Sequence, residues 1–246
     1  MKAMILAAGL GLRLRPLTNA VPKALIDIGG APMLEVILKR LTAAGVTEVI
    51  INSHHLSEKI TEFLTEKKNF GLKIELSREN FFPLETGGGL KKAAWFFGDG
   101  KPFFLYNCDV FTEMDLGAMY RAHLGTGALA TLAVKDRPTS RALLFDADLN
   151  LQGRFNTAEN AFEWTVCRVE NPLRLAFNGV HVISPGIFKL MTETGIFSIT
   201  GVYLRLAGAG SKIKGFRADE FYWQDIGTPE KLQALKRYVA EKGIKI

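Results

Sequence analysis

The sequence predicts an α/β fold, with a mostly parallel mixed sheet between helices and a β-rich lobe inserted late in the chain. Three observations carry that expectation. Short apolar runs alternate with segments of helical periodicity over the first half. A glycine-bearing loop directly follows the first apolar run. Between about Gly127 and Ile183 the pattern changes to turn-rich, strand-like segments. At 246 residues the chain reads as a single domain: a core of about 1–126 and 212–246 carrying a lobe of about 127–211.

Met1 to Ala8, an apolar run bounded by Gly9, reads as a buried strand. A helix is expected over Met33 to Ala44, with Leu34, Ile37, Leu38 and Leu41 on one face and Glu35 paired with Lys39 on the other. Gly45 sits where a left-handed cap belongs. The spacing then predicts a strand at Val46–Asn52, a helix at Ser57–Lys67, a strand at Leu72–Leu76 and a glycine-led helix at Gly88–Phe97. A strand at Phe103–Asn107 and a helix at Asp115–Leu124 complete the alternation. In the lobe, Ala128–Val134, Ala142–Asp146 and Phe177–Ile183 read as antiparallel strands separated by turns, capping one side of a pocket. Thr228 and Pro229 open a last helix on Leu232, Leu235 and Val239.

Composition narrows the function. With 48% hydrophobic and 23% charged residues, the chain matches a soluble globular protein. Its apolar runs, such as Met4–Ala8 and Phe103–Tyr106, are far short of a membrane span. Lys2 and the short run after it do not make a secretory leader. Two cysteines, Cys108 and Cys167, cannot make a disulfide framework or a four-ligand zinc site. A reduced, cytoplasmic protein is expected, with no membrane partner. The net charge of +6, from 31 basic and 25 acidic residues, is modest and scattered, so no nucleic-acid partner is expected either. Small basic groups beside glycines suit a small phosphorylated substrate better. The sequence leaves the oligomeric state open.

The most informative segment is Gly9-Leu10-Gly11-Leu12-Arg13-Leu14-Arg15-Pro16-Leu17-Thr18. A glycine loop leaving a parallel strand lets backbone N–H groups approach a phosphate, because no Cβ intervenes. It is not a dinucleotide fingerprint, since Leu14 stands where the third glycine would be, and it is not a Walker loop. Pro22-Lys23 follows. Asn107-Cys108-Asp109 ends an apolar strand, where open α/β sheets bind ligands, and Trp223-Gln224-Asp225-Ile226-Gly227-Thr228-Pro229 precedes the last helix. Each aspartate alone reads as a cap or turn residue. Together, in a chain with a phosphate-type loop, they can hold a hard divalent cation such as Mg²⁺.

This ordered set resembles the signature of the sugar-phosphate nucleotidyltransferases, which runs G-x-G-T-R-(L or M)-x-P-L-T, then P-K, a base-binding segment, a G-D pair and a late W-x-D-x-G-T-P. The matching residues are Gly9, Gly11, Arg13, Pro16-Leu17-Thr18, Pro22-Lys23, Leu84-Glu85-Thr86-Gly87-Gly88-Gly89, Asp109, and Trp223 with Asp225 to Pro229. The string Leu84 to Gly89 is most similar to the N-acetylmuramate 1-phosphate uridylyltransferases of cell-wall recycling. Three departures stand out. The signature threonine is Leu12, the glycine before the metal aspartate is Cys108, and the Glu-Lys-Pro segment by which many relatives hold sugar phosphate reads Glu170-Asn171-Pro172. Arg168, Arg174, Arg137 and Arg141 stand as replacements for the missing lysine.

The resemblance implies a three-layer, Rossmann-like fold and a reaction between a nucleoside triphosphate and a sugar 1-phosphate. The products are a nucleotide sugar and pyrophosphate, and the substrates UTP and N-acetylmuramate 1-phosphate. It also implies these roles. Arg13 and Lys23 are catalytic. Ala7, Ala8, Gly9, Gly11, Leu12, Arg13 and Lys23 cradle the triphosphate, with Asp109. Glu85, Thr86, Gly87 and Gly88 meet the base. Glu170, Asn178 and Gly179 meet the sugar, and Asp109 and Asp225 hold Mg²⁺. No histidine is needed as a base, because a phosphate monoester is already mostly ionised at neutral pH. The alternatives are a mannose 1-phosphate guanylyltransferase or another sugar 1-phosphate enzyme, a non-catalytic nucleotide-binding regulator, and an unrelated dehydrogenase. The missing third glycine disfavours the last.

Overall fold

A computed structural model describes residues 1–165 and 170–244. Strand β1 is Lys2–Leu6, followed by a 3₁₀ turn at Leu12–Leu14 and the short helix α1, Leu17–Ala20. Helix α2, Met33–Ala43, buries the expected face and carries the Glu35–Lys39 ion pair at 2.8 Å. Gly45, at φ +89°, turns the chain out of it through the left-handed region. Strand β2 (Glu48–Ser53), helix α3 (Ser57–Glu66) and strand β3 (Lys73–Arg78) follow as the periodicity predicts.

Helix α4, Glu85–Lys92, starts three residues before the expected Gly88, and Ala94–Phe97 form a separate 3₁₀ turn. That turn buries Phe96 and Phe97 while Trp95 stays 65% exposed. Next come β4 (Phe103–Asn107), β5 (Val110–Thr112) and α5 (Leu116–Thr126). The Asp115 side chain caps α5 by accepting the Ala118 N–H at 2.8 Å.

The later region holds more structure than its turn-rich sequence suggests. Strands β6 (Ala130–Lys135) and β7 (Arg141–Phe145) lie close to expectation, but β8 (Leu151–Asn156) and β9 (Ala161–Trp164) form where turns are expected. Strand β10, Leu173–Ile183, begins four residues earlier than expected. The short helix α6 (Ile187–Leu190), helix α7 (Ile199–Gly208), β11 (Ile213–Arg217), β12 (Trp223–Asp225) and helix α8 (Pro229–Lys242) complete the chain.

One sheet of ten strands runs in the order β3-β2-β1-β4-β10-β7-β8-β9, with β6 beside β10 and β11 beside β6. The strands β3, β2, β1 and β4 are mutually parallel, and β10 joins β4 antiparallel. The β-rich segment therefore extends the core sheet. Side-chain alternation sorts each strand between two cores. Ala3, Ile5, Phe104 and Tyr106 pack on one face with α2, α3 and α8. Met4, Leu6, Phe103 and Leu105 pack on the other with α4, α7 and the aromatic 3₁₀ turn. Apolar residues on both faces of β1 and β4 explain why those strands read as unbroken apolar runs. This is a three-layer α/β fold of the Rossmann-like type.

Candidate active site

The carboxyl ends of β1, β2 and β4 open onto a cavity of about 280 Å³, whose lining includes Ala8, Gly9, Lys23, Asn52, Glu85 and Asp109. The glycine loop forms one wall. Gly11 lies at φ +64°, and a β-carbon there would fall 2.7 Å from Thr18 Cγ2. Thr18 in turn donates its hydroxyl to Gly11 O at 2.9 Å, which fixes the loop against α1. Gly9 faces open space, with nothing within 4 Å of a β-carbon built there. The amides of Gly9, Leu10 and Gly11 make no hydrogen bond among the described residues, which leaves them available to an anion. Leu12 is 54% exposed. Ala7 is buried, and its amide donates to Asn52 Oδ1 at 2.7 Å, so it is committed to the scaffold.

Lys23, presented on a 3₁₀ turn after Pro22, donates its ammonium to Asp109 Oδ2. Asp225 accepts from Lys231 Nζ at 2.6 Å and from the Gly227 amide at 2.8 Å. The two aspartates are brought together by backbone. β5 and β12 pair with Val110 opposite Asp225, and the Ile226 N–H donates to Asp109 O at 2.9 Å. A β-carbon at Gly227 would lie 2.6 Å from Asp225 Oδ1 and 3.1 Å from Arg13 Nη2. Gly227 thus lets the exposed Arg13 lie against the same corner. Arg137 also lies close enough to Asp225 to feel its charge, so Arg13, Lys231 and Arg137 gather about Asp225 while Lys23 pairs with Asp109 in the cavity.

The donor chemistry fits a hard divalent cation. Both carboxylates are acceptor-only oxygens, and such ions complete their shell with water or phosphate oxygen. Among the described residues no group of three or more His, Cys, Asp or Glu side chains gathers as a metal cage. Cys108, buried behind Asp109, has its thiol pushed up to about 12, first by burial and then by the Asp109 charge. It stays protonated and inert.

The segment expected to meet the base is divided in its contacts. Glu85 lines the cavity and holds φ +58°, a left-handed conformation uncommon for a residue with a side chain. Thr86 also lines the cavity, but its hydroxyl accepts the Ile199 N–H at 2.9 Å and so caps α7. The amides of Gly87 and Gly88 both donate to Phe197 O, at 2.9 and 3.2 Å. β-Carbons on these glycines would lie 2.5 Å from the Phe197 ring and 2.5 Å from Gly195 O. Gly87 and Gly88 therefore serve packing, because they let the 195–197 segment close on α4.

Behind them lies a network that sequence reasoning missed. Buried Glu79 accepts from Asn52 Nδ2 and from the Leu84 amide, each at 2.7 Å. A β-carbon on Gly89 would strike both side chains. Glu79 thereby ties the start of α4 to the Asn52 that holds Ala7. No sequence spacing links residues 52, 79 and 84. Lys231 was also missed, although its place in the first turn of α8 follows from the Thr228 cap.

Of the residues expected at the sugar, Asn178 is buried, and its Nδ2 has no partner. Gly179, at φ +78°, lies against Val110 and Asn107, whose Oδ1 is also buried without a partner. Glu170 is exposed and makes no hydrogen bond or ion pair among the described residues. Of the replacement arginines, Arg174 stacks on Phe155 and Phe162 at 4.2 and 4.9 Å. Arg141 lines a separate groove with Arg154 and Glu163. Arg168 lies outside the described residues, and Arg137 stands beside Asn178.

A Rossmann-like sheet with a glycine loop and two lysine-paired aspartates at its strand ends defines a class of phosphate-handling α/β proteins. The family model described as "Nucleotidyl transferase" matches residues 2–143. The N-acetylmuramate alpha-1-phosphate uridylyltransferase of Caulobacter vibrioides is 32% identical, with 97% of each chain covered. The mannose-1-phosphate guanyltransferase of Eremothecium gossypii is also 32% identical, over 94% of this chain and 62% of its own length. In shape, a UDP-glucose pyrophosphorylase complexed with UDP-glucose superposes with a TM-score of 0.81 at 17% identity, covering 98% of both chains. The chain belongs to the nucleotidyl transferase family, among the sugar-phosphate nucleotidyltransferases.

Proposed function

We propose that the protein joins UTP to N-acetylmuramate 1-phosphate, giving a nucleotide sugar and pyrophosphate. The observation that carries the reaction is the cavity in which Lys23 and Asp109 meet beneath an open glycine loop. The end-to-end similarity to uridylyltransferases supports the choice of substrates.

The phosphate of the sugar attacks the α-phosphorus already ionised, so catalysis must overcome repulsion between anions and stabilise the leaving group. The Gly9 to Arg13 backbone cradles the triphosphate, Arg13 meets the departing pyrophosphate and Lys23 neutralises charge near the reacting centre. Asp109 and Asp225 would hold Mg²⁺, whose charge offsets that of the phosphates when bound. Glu85 and Thr86 face the base, while Asn178 and Gly179 face the sugar. A buried free thiol suits a reducing, cytoplasmic setting. Among the described residues no helix is long and apolar enough to cross a membrane.

A guanylyltransferase acting on mannose 1-phosphate is the second reading, supported by relatives of that name. The test is pyrophosphate release from UTP, dTTP and GTP, each with a panel of sugar 1-phosphates and Mg²⁺. Preference for GTP with mannose 1-phosphate would replace the substrates and keep the reaction. No pyrophosphate from any pair would favour a nucleotide-binding regulator.

A further inference from the structure

Arg137 follows β6, in a turn that the sequence shows only as Arg137-Pro138-Thr139. Its guanidinium carbon lies 3.7 Å from the centre of the Trp223 ring. Nη2 donates to Phe177 O at 2.8 Å, and Nε donates to Asn178 Oδ1 across a longer 3.4 Å. Trp223 is itself fixed, because its indole N–H donates to Asn178 O at 2.9 Å. Arg137 Nη1 donates to the neighbouring Pro138 O, also across 3.4 Å, so the fork is held on one face and at each nitrogen, with two of its five N–H donors left over.

Yet no carboxylate lies within salt-bridge distance of this half-buried cation among the described residues. Burial lowers its pKa from the ordinary arginine value, and the nearby Asp225 raises it. A planar cation held rigid and partly desolvated, without an anion, is pre-organised to receive one. A second observation points the same way. Asn178, only 2% exposed, spends its Oδ1 on Arg137 and leaves Nδ2 without a partner. A buried amide donor left open is costly unless a ligand satisfies it.

We propose that Arg137, steadied by Trp223 and with Asn178 Nδ2 beside it, binds the phosphate of the sugar substrate and supplies the cation absent at Asn171. The proposal rests on the reaction proposed above. Arg174 is engaged with aromatic rings and Arg141 with a different groove, whereas Arg137 borders Asp225, where the phosphates are to meet. A sugar carboxylate would offer the same fork a similar oxyanion, so the test must separate the two.

The test compares Arg137→Met and Arg137→Lys with the wild type, using N-acetylmuramate 1-phosphate and the carboxylate-free glucose 1-phosphate. In Arg137→Met, a roughly 10- to 100-fold rise in KM for both sugar phosphates is expected, the loss typical of a charged hydrogen bond. KM for the triphosphate should stay within about twofold, and Arg137→Lys should recover part of the loss. A loss confined to N-acetylmuramate 1-phosphate would overturn the proposal in favour of the carboxylate. Equal effects on sugar phosphate and triphosphate, or no effect on either, would reduce Arg137 to a brace for the Phe177–Asn178 backbone. If Arg137→Met fails to fold, Arg137→Lys carries the same KM comparison. If the wild type releases no pyrophosphate, the proposed reaction fails on its own. Calorimetry with inorganic phosphate then reads Arg137 separately: binding lost in the variants supports it, and equal binding overturns it.

Discussion

Two glycine-rich segments flank the cavity, and they use the same residue for opposite ends. At Gly9 the missing side chain leaves open space and amides without partners. At Gly87 and Gly88 it is filled by Phe197 and Gly195, and the amides are already bonded to Phe197 O. The first glycine keeps room for a ligand; the others let two parts of the chain touch. A glycine string in a motif therefore does not by itself say whether backbone or ligand occupies the freed volume.

The contrast is tested most severely beside the open loop. Asp109→Asn, Asp225→Asn and Lys23→Ala should each lower kcat/KM by at least about a hundredfold, roughly 2.7 kcal/mol, with folding intact. Near-normal rates would remove the open loop from the chemistry. On the closed side, Gly88→Ala forces a methyl against Gly195 O, a backbone atom that cannot swing aside. Its urea midpoint should report a loss of about 1–3 kcal/mol, and Gly87→Ala should behave similarly. An unchanged midpoint would show that the 195–197 segment gives way easily.

Buried histidines on the two faces of the sheet, His123 on α5 and His181 against α7, should make the fold acid-sensitive. Burial lowers His123 to about 4 and His181 to about 3; His123 bonds Thr131 and Ser184, and His181 bonds Tyr203 of α7. The unfolded chain, with histidine near 6.5, binds protons that the folded chain refuses, so stability falls as pH drops below that value. At pH 5 the cost is at most about 2 kcal/mol for each histidine. His123→Gln and His181→Gln should flatten the decline between pH 7 and 5, and an unaltered slope would assign it to other groups. The smallest effect belongs to Gly9→Ala. Stability should stay within about 0.5 kcal/mol, while kcat/KM falls about tenfold as a methyl enters the phosphate path.

The sequence was most legible where one element decided its own shape. β1, β4 and α2 declare themselves through apolar runs or a 3.6-residue stripe, and Thr228-Pro229 marks the start of α8. β8 and β9 were hidden because Gly153 and the polar residues between strands look like turn chemistry, and only pairing with β7 makes them strands. In the candidate site, Arg13, Lys23, Asp109 and Asp225 stand out in the sequence because their spacing matches a known signature. Glu79, Asn52 and Lys231 carry no such spacing. Gly87 and Gly88 were read toward a base because Phe197, their neighbour in space, lies more than a hundred residues away in the chain.

The irregularity in β10 carries one more consequence. Phe177 pairs with Val134 and His181 with Leu132, so four steps along β10 match two along β6. The surplus of two residues, an even number, ejects Asn178 and Gly179 from the ladder while the alternation on either side stays in phase. Val180 and Val182 still face one core, and Leu175 and Ile183 the other. Removing a single residue here would invert one half of the strand against its layers, exchanging buried and outward faces. Parity thus constrains insertions and deletions at this point: natural length variants should differ by pairs of residues, or compensate elsewhere in β10.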